Sequence, residues 1–287
     1  MGGEELGEAS LSTSGLLGDR AYALIETDTG RVVSAKSVRR FPDVLQCRAA
    51  FVEPPHPHRD VPPVRITLPT GETVMSDSPG VDRALSAHFR RDVRLARSAP
   101  PDFTIDMYRP DVEGTDAAGR GDTVAPQRLG AAYFADAGLP SPVPPGSFLD
   151  LFPVSLLTTS TLSRLTEARP ESRFEPRRFR MNVIVATGAP GFPENGWVGR
   201  RVSIGDARVR VAVPDARCVM TTLPQGDLPG DPEILRVLVR HNLLELGPAS
   251  RHPCAGVYAV VEAEGTVRRG DRVRLASGGG PESSRRG

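Results

Sequence analysis

The chain has 287 residues, 39% of them hydrophobic, enough to form one large domain or two modest ones. Its 36 basic and 35 acidic residues leave a net charge of +1, without the one-signed surplus expected of a nucleic-acid-binding protein. No apolar run approaches the roughly 20 residues needed to span a bilayer, and residues 1–10 are too acidic for a signal peptide. Lys36 is the only lysine, which we interpret as a compositional preference for arginine without functional weight.

Three cysteines, Cys47, Cys218 and Cys254, are too few and too scattered for a disulfide framework or a four-cysteine zinc site. Their odd number favours a reducing compartment. We therefore expect a cytoplasmic protein with neither a nucleic-acid nor a membrane partner.

Short strands joined by turns are predicted in the first hundred residues. Residues 21–26 and 31–35 flank the turn Thr-Asp-Thr-Gly, and residues 64–68 and 73–76 flank Pro-Thr-Gly-Glu. β-Branched residues on both sides of a Gly- or Pro-containing reversal are typical of hairpins. The sequence therefore predicts two hairpins.

A helix is predicted to begin at Ser78, with one apolar face formed by Val81, Leu85 and Phe89. Residues 97–147 are rich in Pro, Gly and Asp and lack a sustained period. This composition indicates a long loop or linker, and we place a domain boundary near residue 115.

The second half is predicted to contain a strand entering a helix (156–165), a buried strand (182–186), a hairpin (197–204 and 207–213), a helix beginning at Asp231, and two closing strands (256–261 and 272–275). The Gly/Ser/Arg-rich residues 277–287 are predicted to form a disordered tail. Together these elements predict a mixed α+β fold that is mainly β, and more barrel-like than doubly wound.

Cys218 stands out among the residues that could perform chemistry. It follows a strongly patterned strand, and the neighbouring Arg217 would favour the thiolate that binds metals or attacks electrophiles. A lone cysteine is more often a small buried hydrophobic residue, and the residues alone favour that alternative. The five histidines lack metal-ligand spacing, and His88 and His241 fall on or near the apolar faces of predicted helices.

Two further segments could bind an anion. Arginines in residues 178–182 enter a predicted strand and could clamp a phosphate, and hydroxyls of residues 158–161 at a helix start could contact the same anion. A third arginine, Arg20, follows a predicted turn that contains Gly15 and Gly18. A surface salt bridge and ordinary N-capping are the alternative interpretations, and each is favoured when a segment is considered singly.

Five segments, in this order, resemble the MOSC family: 15–22 (GLLGDRAY), 178–183 (RFRMNV), 197–206 (WVGRRVSIGD), 217–222 (RCVMTT) and 256–273 (GVYAVVEAEGTVRRGDRV). That family comprises relatives of the C-terminal domain of molybdenum cofactor sulfurase and includes the amidoxime reducing component. The resemblance implies an N-terminal β-barrel-like domain over residues 1–115 and a MOSC β-barrel domain with a few helices over residues 116–276.

The resemblance also implies roles for individual residues. Cys218 would be the sulfur ligand to the metal of a molybdenum cofactor (Mo-molybdopterin). Arg20 and Arg180 would contact the phosphate or polar edge of the pterin. Further residues would line the same cavity: Asn182, Asp150, Thr158 and Ser160.

The sequence departs from the family at both ends. Relatives usually begin with a strand ending in Val-Lys-Ser, so the N-terminal domain is expected to lack its first strand, and Met1 is expected to be an internal methionine of the natural protein. Some relatives carry a C-terminal ferredoxin domain, but residues 277–287 hold no cysteine. A redox activity would therefore need a separate electron-donor protein.

Three functions follow from the resemblance. The first is an oxidoreductase that reduces N-hydroxylated small molecules at a Cys-ligated molybdenum. The second is a non-redox carrier, in which Cys218 would hold a persulfide or hand over sulfur or the cofactor. The third is a degenerate scaffold, in which replacement of Cys218 would change neither metal content nor activity.

Overall fold

The computed structural model describes residues 1–109, 123–248 and 250–276. Strands account for 34% and helices for 18% of these described residues, so the predicted mainly-β fold with few helices is confirmed. The strands are β1 (Glu8–Ser12), β2 (Gly15–Leu16), β3 (Ala23–Glu26), β4 (Arg48–Phe51), β5 (Val64–Thr67), β6 (Thr73–Met75), β7 (Val93–Ala96), β8 (Thr104–Arg109), β9 (Thr123–Arg128), β10 (Val154–Thr158), β11 (Val183–Val185), β12 (Arg201–Ile204), β13 (Ala207–Ala216), β14 (Leu243–Gly247), β15 (Ser250–Ala263), β16 (Gly265–Arg268) and β17 (Val273–Leu275).

The helices are α1 (Val81–Phe89), α2 (Gly130–Asp136), α3 (Thr159–Ala168), α4 (Pro176–Phe179) and α5 (Glu233–His241), with 3-10 turns at Pro193–Trp197 and Val219–Thr222. None of the helices in the described part of the chain has the length and hydrophobicity to cross a bilayer.

The largest sheet is a nearly closed, barrel-shaped sheet in the order β11-β10-β15-β13-β12-β17, with β14 paired to β15. Strand β13 alternates buried Val209 and Val211 with exposed Arg208 and Arg210, which confirms the half-buried strand predicted there. The buried residues of β13 pack inside the sheet against neighbouring strands. Because β13 ends at Ala216, this barrel places Cys218 just beyond a strand end.

Helices α3 and α5 pack over the barrel through a cluster that includes Leu165 and Leu238. The predicted strand-to-helix segment is confirmed as β10 and α3, and the helix predicted from Asp231 is α5. His241, predicted to lie on or near a buried face, is exposed at the end of α5. The strand predicted over 182–186 is shorter, and Ile184 on it is exposed, because β11 pairs only with β10 at the edge of the sheet.

The N-terminal residues form smaller sheets around their own hydrophobic cluster. The hairpin predicted over 64–68 and 73–76 is confirmed as β5 and β6. The hairpin predicted over 21–26 and 31–35 is confirmed only near its reversal, where the Val33 N–H donates to the Leu24 carbonyl; residues 31–35 form no strand, and β3 pairs along its length with β7. Only Val32 forms a bridge to β3, and the chain then turns at Ser34, whose carbonyl accepts a hydrogen bond from the Ser37 N–H.

Residues 97–147 contain more structure than the sequence predicts, since β8 and β9 pair and α2 follows them. Helix α2 has only seven residues and β9 includes Pro126, so neither carries a clear period. The boundary predicted near residue 115 and the tail predicted over 277–287 lie outside the described residues.

Gly256 lies in β15 with φ +84°, where the chain approaches β10 closely. A Cβ atom there would lie 2.5 Å from the Leu156 carbonyl oxygen and would also clash with Met181. We expect Gly256→Ala to lower the free energy of unfolding by about 2–4 kcal/mol, because it adds an overlap to an unfavourable backbone conformation.

Gly30 is the matched control for this substitution. Its φ is +67°, but a Cβ atom there would meet open space, so we expect Gly30→Ala to cost only about 1 kcal/mol. Urea unfolding of both variants measures the difference. Equal losses at the two glycines would contradict the close approach of β15 to β10.

Candidate functional site

An open cleft of about 2060 Å³ runs between the N-terminal residues and the barrel. Four of the residues predicted to bind a cofactor line it: Arg20, Asp150, Arg180 and Asn182. The fold therefore brings together side chains that lie up to 162 positions apart in the sequence.

Arg20 reaches the cleft from the turn that follows β2. The turn depends on Gly18, whose φ is +84° and whose Cβ atom would lie 2.7 Å from Phe51 and Pro55. Arg20 itself has φ +48°, an uncommon conformation for a residue other than glycine. Its Nη1 donates to Asp19 Oδ2 at 2.9 Å, and the charge of Asp19 raises the pKa of Arg20.

Arg180 follows α4 and shares the left-handed conformation, with φ +55°. Its Nη1 donates to the Met1 carbonyl at 2.7 Å, and within the described residues its guanidinium forms no ion pair. Burial and the nearby charge of Arg20 lower the pKa of Arg180 to about 10. An anion in the cleft would relieve this repulsion between two arginines.

Asn182 connects the strand after Arg180 to the turn of Arg20. Its Nδ2 donates to Asp19 Oδ2 at 2.8 Å, and its Oδ1 accepts from the backbone N–H and the hydroxyl of Ser155, both at 2.9 Å. Asp19 thus accepts from both Arg20 and Asn182. Asn182 therefore links the turn that contains Asp19 and Arg20 to the barrel.

Lys36 and Asp150 form an ion pair on the cleft wall, with Nζ and Oδ2 at 2.7 Å. Burial opposes the charge of Lys36, but the charges of Asp150 and Cys218 raise its pKa. Burial also opposes the charge of Asp150, while Lys36 and Arg20 lower its pKa. Lys36 is the residue that the sequence interpretation missed, and the only available signal was that it is the sole lysine of an arginine-rich chain.

Cys218 lies between β13 and the 3-10 turn at Val219–Thr222, and it is partly exposed. Its carbonyl accepts from the Thr221 N–H at 3.2 Å, which fixes the backbone of the turn. The other two cysteines are buried, and burial raises the pKa of Cys47 to about 11 and that of Cys254 to about 12. Cys218 is therefore the thiol suited to chemistry, and Cys254 is the packing residue predicted from the sequence.

A buried ion pair lies directly before Cys218. The side chains of Arg217 and Asp215 are 6% and 2% exposed, and Nη1 lies 2.5 Å from Oδ2. Arg217 also donates to the Phe179 carbonyl. Burial raises the pKa of Asp215, although the charge of Arg217 opposes this rise. Burial and the nearby charge of Asp215 raise the pKa of Tyr258 well above its usual value. Cys218 acts electrostatically on both Arg217 and Lys36, so two cations lie near its sulfur.

Thr158 and Ser160 lie outside the residues that line the cleft. Thr158 caps α3, accepting from the Thr161 N–H at 3.2 Å and donating to Glu194 at 2.7 Å. The Ser160 hydroxyl donates to the Thr187 carbonyl at 2.8 Å. The N-capping alternative therefore describes Thr158, and the cofactor contacts of both residues stay predictions.

Within the described residues, no group of three or more His, Cys, Asp or Glu side chains is placed to hold a metal ion.

The sequence matches the family model of the MOSC domain over residues 145–274. No curated protein matches it. Among solved structures, it is similar to YiiM from Geobacillus stearothermophilus, with 20% identity and a TM-score of 0.30 over 44% of this chain and 55% of that chain. It is also similar to the YuaD protein from Bacillus subtilis, with 19% identity and a TM-score of 0.35 over 64% of this chain and 86% of that chain. The chain thus spans about half of the YiiM chain, at 55%.

Proposed function

We propose, on the premise that residues 145–274 form a MOSC domain, that the cleft binds the molybdenum cofactor with Cys218 as the protein's sulfur ligand to the metal. MOSC domains are associated with binding of this cofactor. The observation that carries the proposal is the convergence of two arginines, both in left-handed backbone conformation, on one cleft. The partly exposed Cys218 is not among the residues that line this cleft, but it interacts electrostatically with Lys36, which does line it.

The donor set suits such a ligand. A soft thiolate is a good ligand for a soft metal, and a guanidinium fork matches the geometry of a phosphate. Arg180 forms no ion pair within the described residues and lies near Arg20, so an anionic phosphate would find unsatisfied donors there. Arg20 keeps its own carboxylate, Asp19, and would add charge and orientation.

The remaining side chains hold the site in place. Asn182 and Asp19 orient the Arg20 turn, and Asp150 keeps Lys36 charged on the cleft wall. Lys36 and Arg217 place positive charge near the sulfur of Cys218, which suits a sulfur that carries negative charge in a metal complex.

We propose an oxidoreductase acting on N-hydroxylated small molecules, such as amidoximes or hydroxylamines. The bound cofactor would supply a two-electron redox couple. Each turnover would convert an N–OH group to N–H, with two electrons and two protons consumed and one water released. A separate electron-donor protein would deliver the electrons.

The first test is the molybdenum and pterin content of the protein purified from a cofactor-producing host. We expect close to one molybdenum per chain in the wild type and at least a tenfold loss in Cys218→Ala, because the only protein ligand to the metal is removed. Cys47→Ala is the matched control, since it deletes a buried thiol that contacts His88 and should retain the metal.

Equal molybdenum in the wild type and Cys218→Ala would contradict the proposed ligand. Substoichiometric molybdenum together with a labile sulfur on Cys218 would instead favour the carrier. Stoichiometric metal with no reduction of amidoximes, under a strong artificial electron donor, would contradict the reductase while leaving the cofactor site intact.

A further inference from the structure

Arg178 in α4 is completely buried, with 0% of its surface exposed. Its guanidinium donates only to main-chain carbonyls: Nε to Arg173 at 2.8 Å, Nη2 to Pro229 at 2.7 Å, and Nη1 to Thr221 and Leu223, both at 3.3 Å. Within the described residues it forms no ion pair. The sequence indicates a phosphate clamp at residues 178–182, but the Arg178 guanidinium donates to carbonyls inside the protein and does not line the cleft.

A buried charge without a carboxylate is costly unless every donor is satisfied. Burial accordingly lowers the pKa of Arg178. Three of its four acceptors belong to one stretch of chain, residues 221–229, which begins within the 3-10 turn that follows Cys218. The Asp231 N–H closes the same stretch by donating to the Thr222 carbonyl at 2.7 Å.

Helix α4 also contacts the chain on the other side of Cys218. Arg217 donates through Nη2 to the carbonyl of Phe179, the residue after Arg178. Cys218 is thus bracketed, since α4 accepts a hydrogen bond from the residue before it and donates one to the carbonyl of Thr221, three residues after it.

We propose that Arg178 is a positioning residue for Cys218, holding the turn at residues 219–223 so that the sulfur stays beside Lys36 and the cleft. That this position of the sulfur serves metal binding rests on the proposed function, but the claim that Arg178 holds the turn does not. Loss of the Arg178 guanidinium would free four carbonyls at once, two of them in this turn, and would allow the turn to open locally, without contact between Arg178 and any ligand.

The test measures two local properties of the full-length chain prepared without cofactor. The first is hydrogen–deuterium exchange of the amides of residues 219–223. The second is the rate at which N-ethylmaleimide modifies Cys218, followed by mass spectrometry of its peptide. We expect Arg178→Gln to speed both by about tenfold or more, because several buried hydrogen bonds are lost. Arg178→Lys keeps the charge and part of the donor set, so we expect it to increase the two rates by an intermediate amount. This variant also replaces Arg178→Gln in the test if Arg178→Gln does not fold.

Two controls separate positioning from general destabilisation. Arg201→Gln changes an exposed arginine of β12, which pairs with Glu262 and does not contact residues 219–229. Leu129→Ala removes a buried side chain from a separate cluster around Phe103 and Phe148. Neither should speed exchange at residues 219–223 or modification of Cys218.

Equal increases in Arg178→Gln and Leu129→Ala would overturn the proposal, as would unchanged rates in both Arg178 variants. Because these readouts need no cofactor, they stay valid even if the protein binds no molybdenum. Failure of the positioning role and failure of the proposed function are therefore distinguishable.

Discussion

Arg180→Met is expected to lower the affinity for the cofactor by about 100-fold, because a bidentate charged contact to a phosphate contributes about 3 kcal/mol. The same variant should not lose stability as a cofactor-free protein. Arg180 forms no ion pair within the described residues, and burial together with the charge of Arg20 lowers its pKa to about 10. The charge of Arg180 is therefore unfavourable in the cofactor-free protein and becomes favourable only when an anion binds in the cleft.

Binding and stability are measured separately for this prediction. Molybdenum and pterin retained after extensive dialysis report affinity, and urea unfolding of the cofactor-free chain reports stability. Arg201→Met is the control, because it removes an exposed arginine that does not line the cleft. Arg20→Met provides a contrast, since it leaves Asp19 without its cation and should weaken both properties. A stability loss in Arg180→Met as large as that in Arg20→Met would refute this account of Arg180.

Arg217→Met is expected to lower the free energy of unfolding by about 3–5 kcal/mol at neutral pH, because it leaves the Asp215 carboxylate buried without its partner. The two side chains are 6% and 2% exposed, so water cannot replace the lost cation without opening the structure. Arg201→Met is the control: this arginine is 61% exposed on the outer face of β12, and its loss should change stability by less than about 1 kcal/mol.

The effect of Arg217→Met should depend on pH in a direction set by Asp215. Burial raises the pKa of Asp215 and Arg217 opposes that rise, so removing Arg217 raises the folded-state pKa further. A carboxyl whose folded-state pKa lies above its unfolded value binds a proton on folding, so its contribution is favourable at low pH and is lost as the pH rises through the folded pKa. The stability difference from the wild type should therefore narrow as the pH falls from about 8 to about 5.

The double variant Asp215→Asn/Arg217→Met tests the cause. If the buried carboxylate is responsible, the double variant regains part of the lost stability and loses most of the pH dependence. A difference from the wild type that stays constant between these pH values would exclude Asp215 as the source.

Local patterns in the sequence were sufficient for much of the fold. The hairpin of β5 and β6 and the alternation of β13 depend on residues within about ten positions of each other, and both are confirmed. The pairing of β3 with β7 was missed because the partner strands are about 70 residues apart, and residues 31–35 carry an equally good strand pattern. Element α2 was missed because seven residues are too few for a visible period.

The sequence by itself determined which residues are candidates for the chemistry. It singled out Arg20, Arg180 and Cys218 through their neighbours and through five ordered segments, and the structure places both arginines in one cleft. The turn before Arg20 could be predicted from its glycines, because only glycine readily adopts the required backbone conformation.

Tertiary structure alone decided which charges meet. Lys36 pairs with Asp150 across 114 positions, and Arg178 reaches carbonyls up to 51 positions away, neither of which leaves a local pattern. An ion pair or a carbonyl clamp depends on distances of a few ångströms between remote segments, so its energy appears only when packing brings those segments together and removes the water between them.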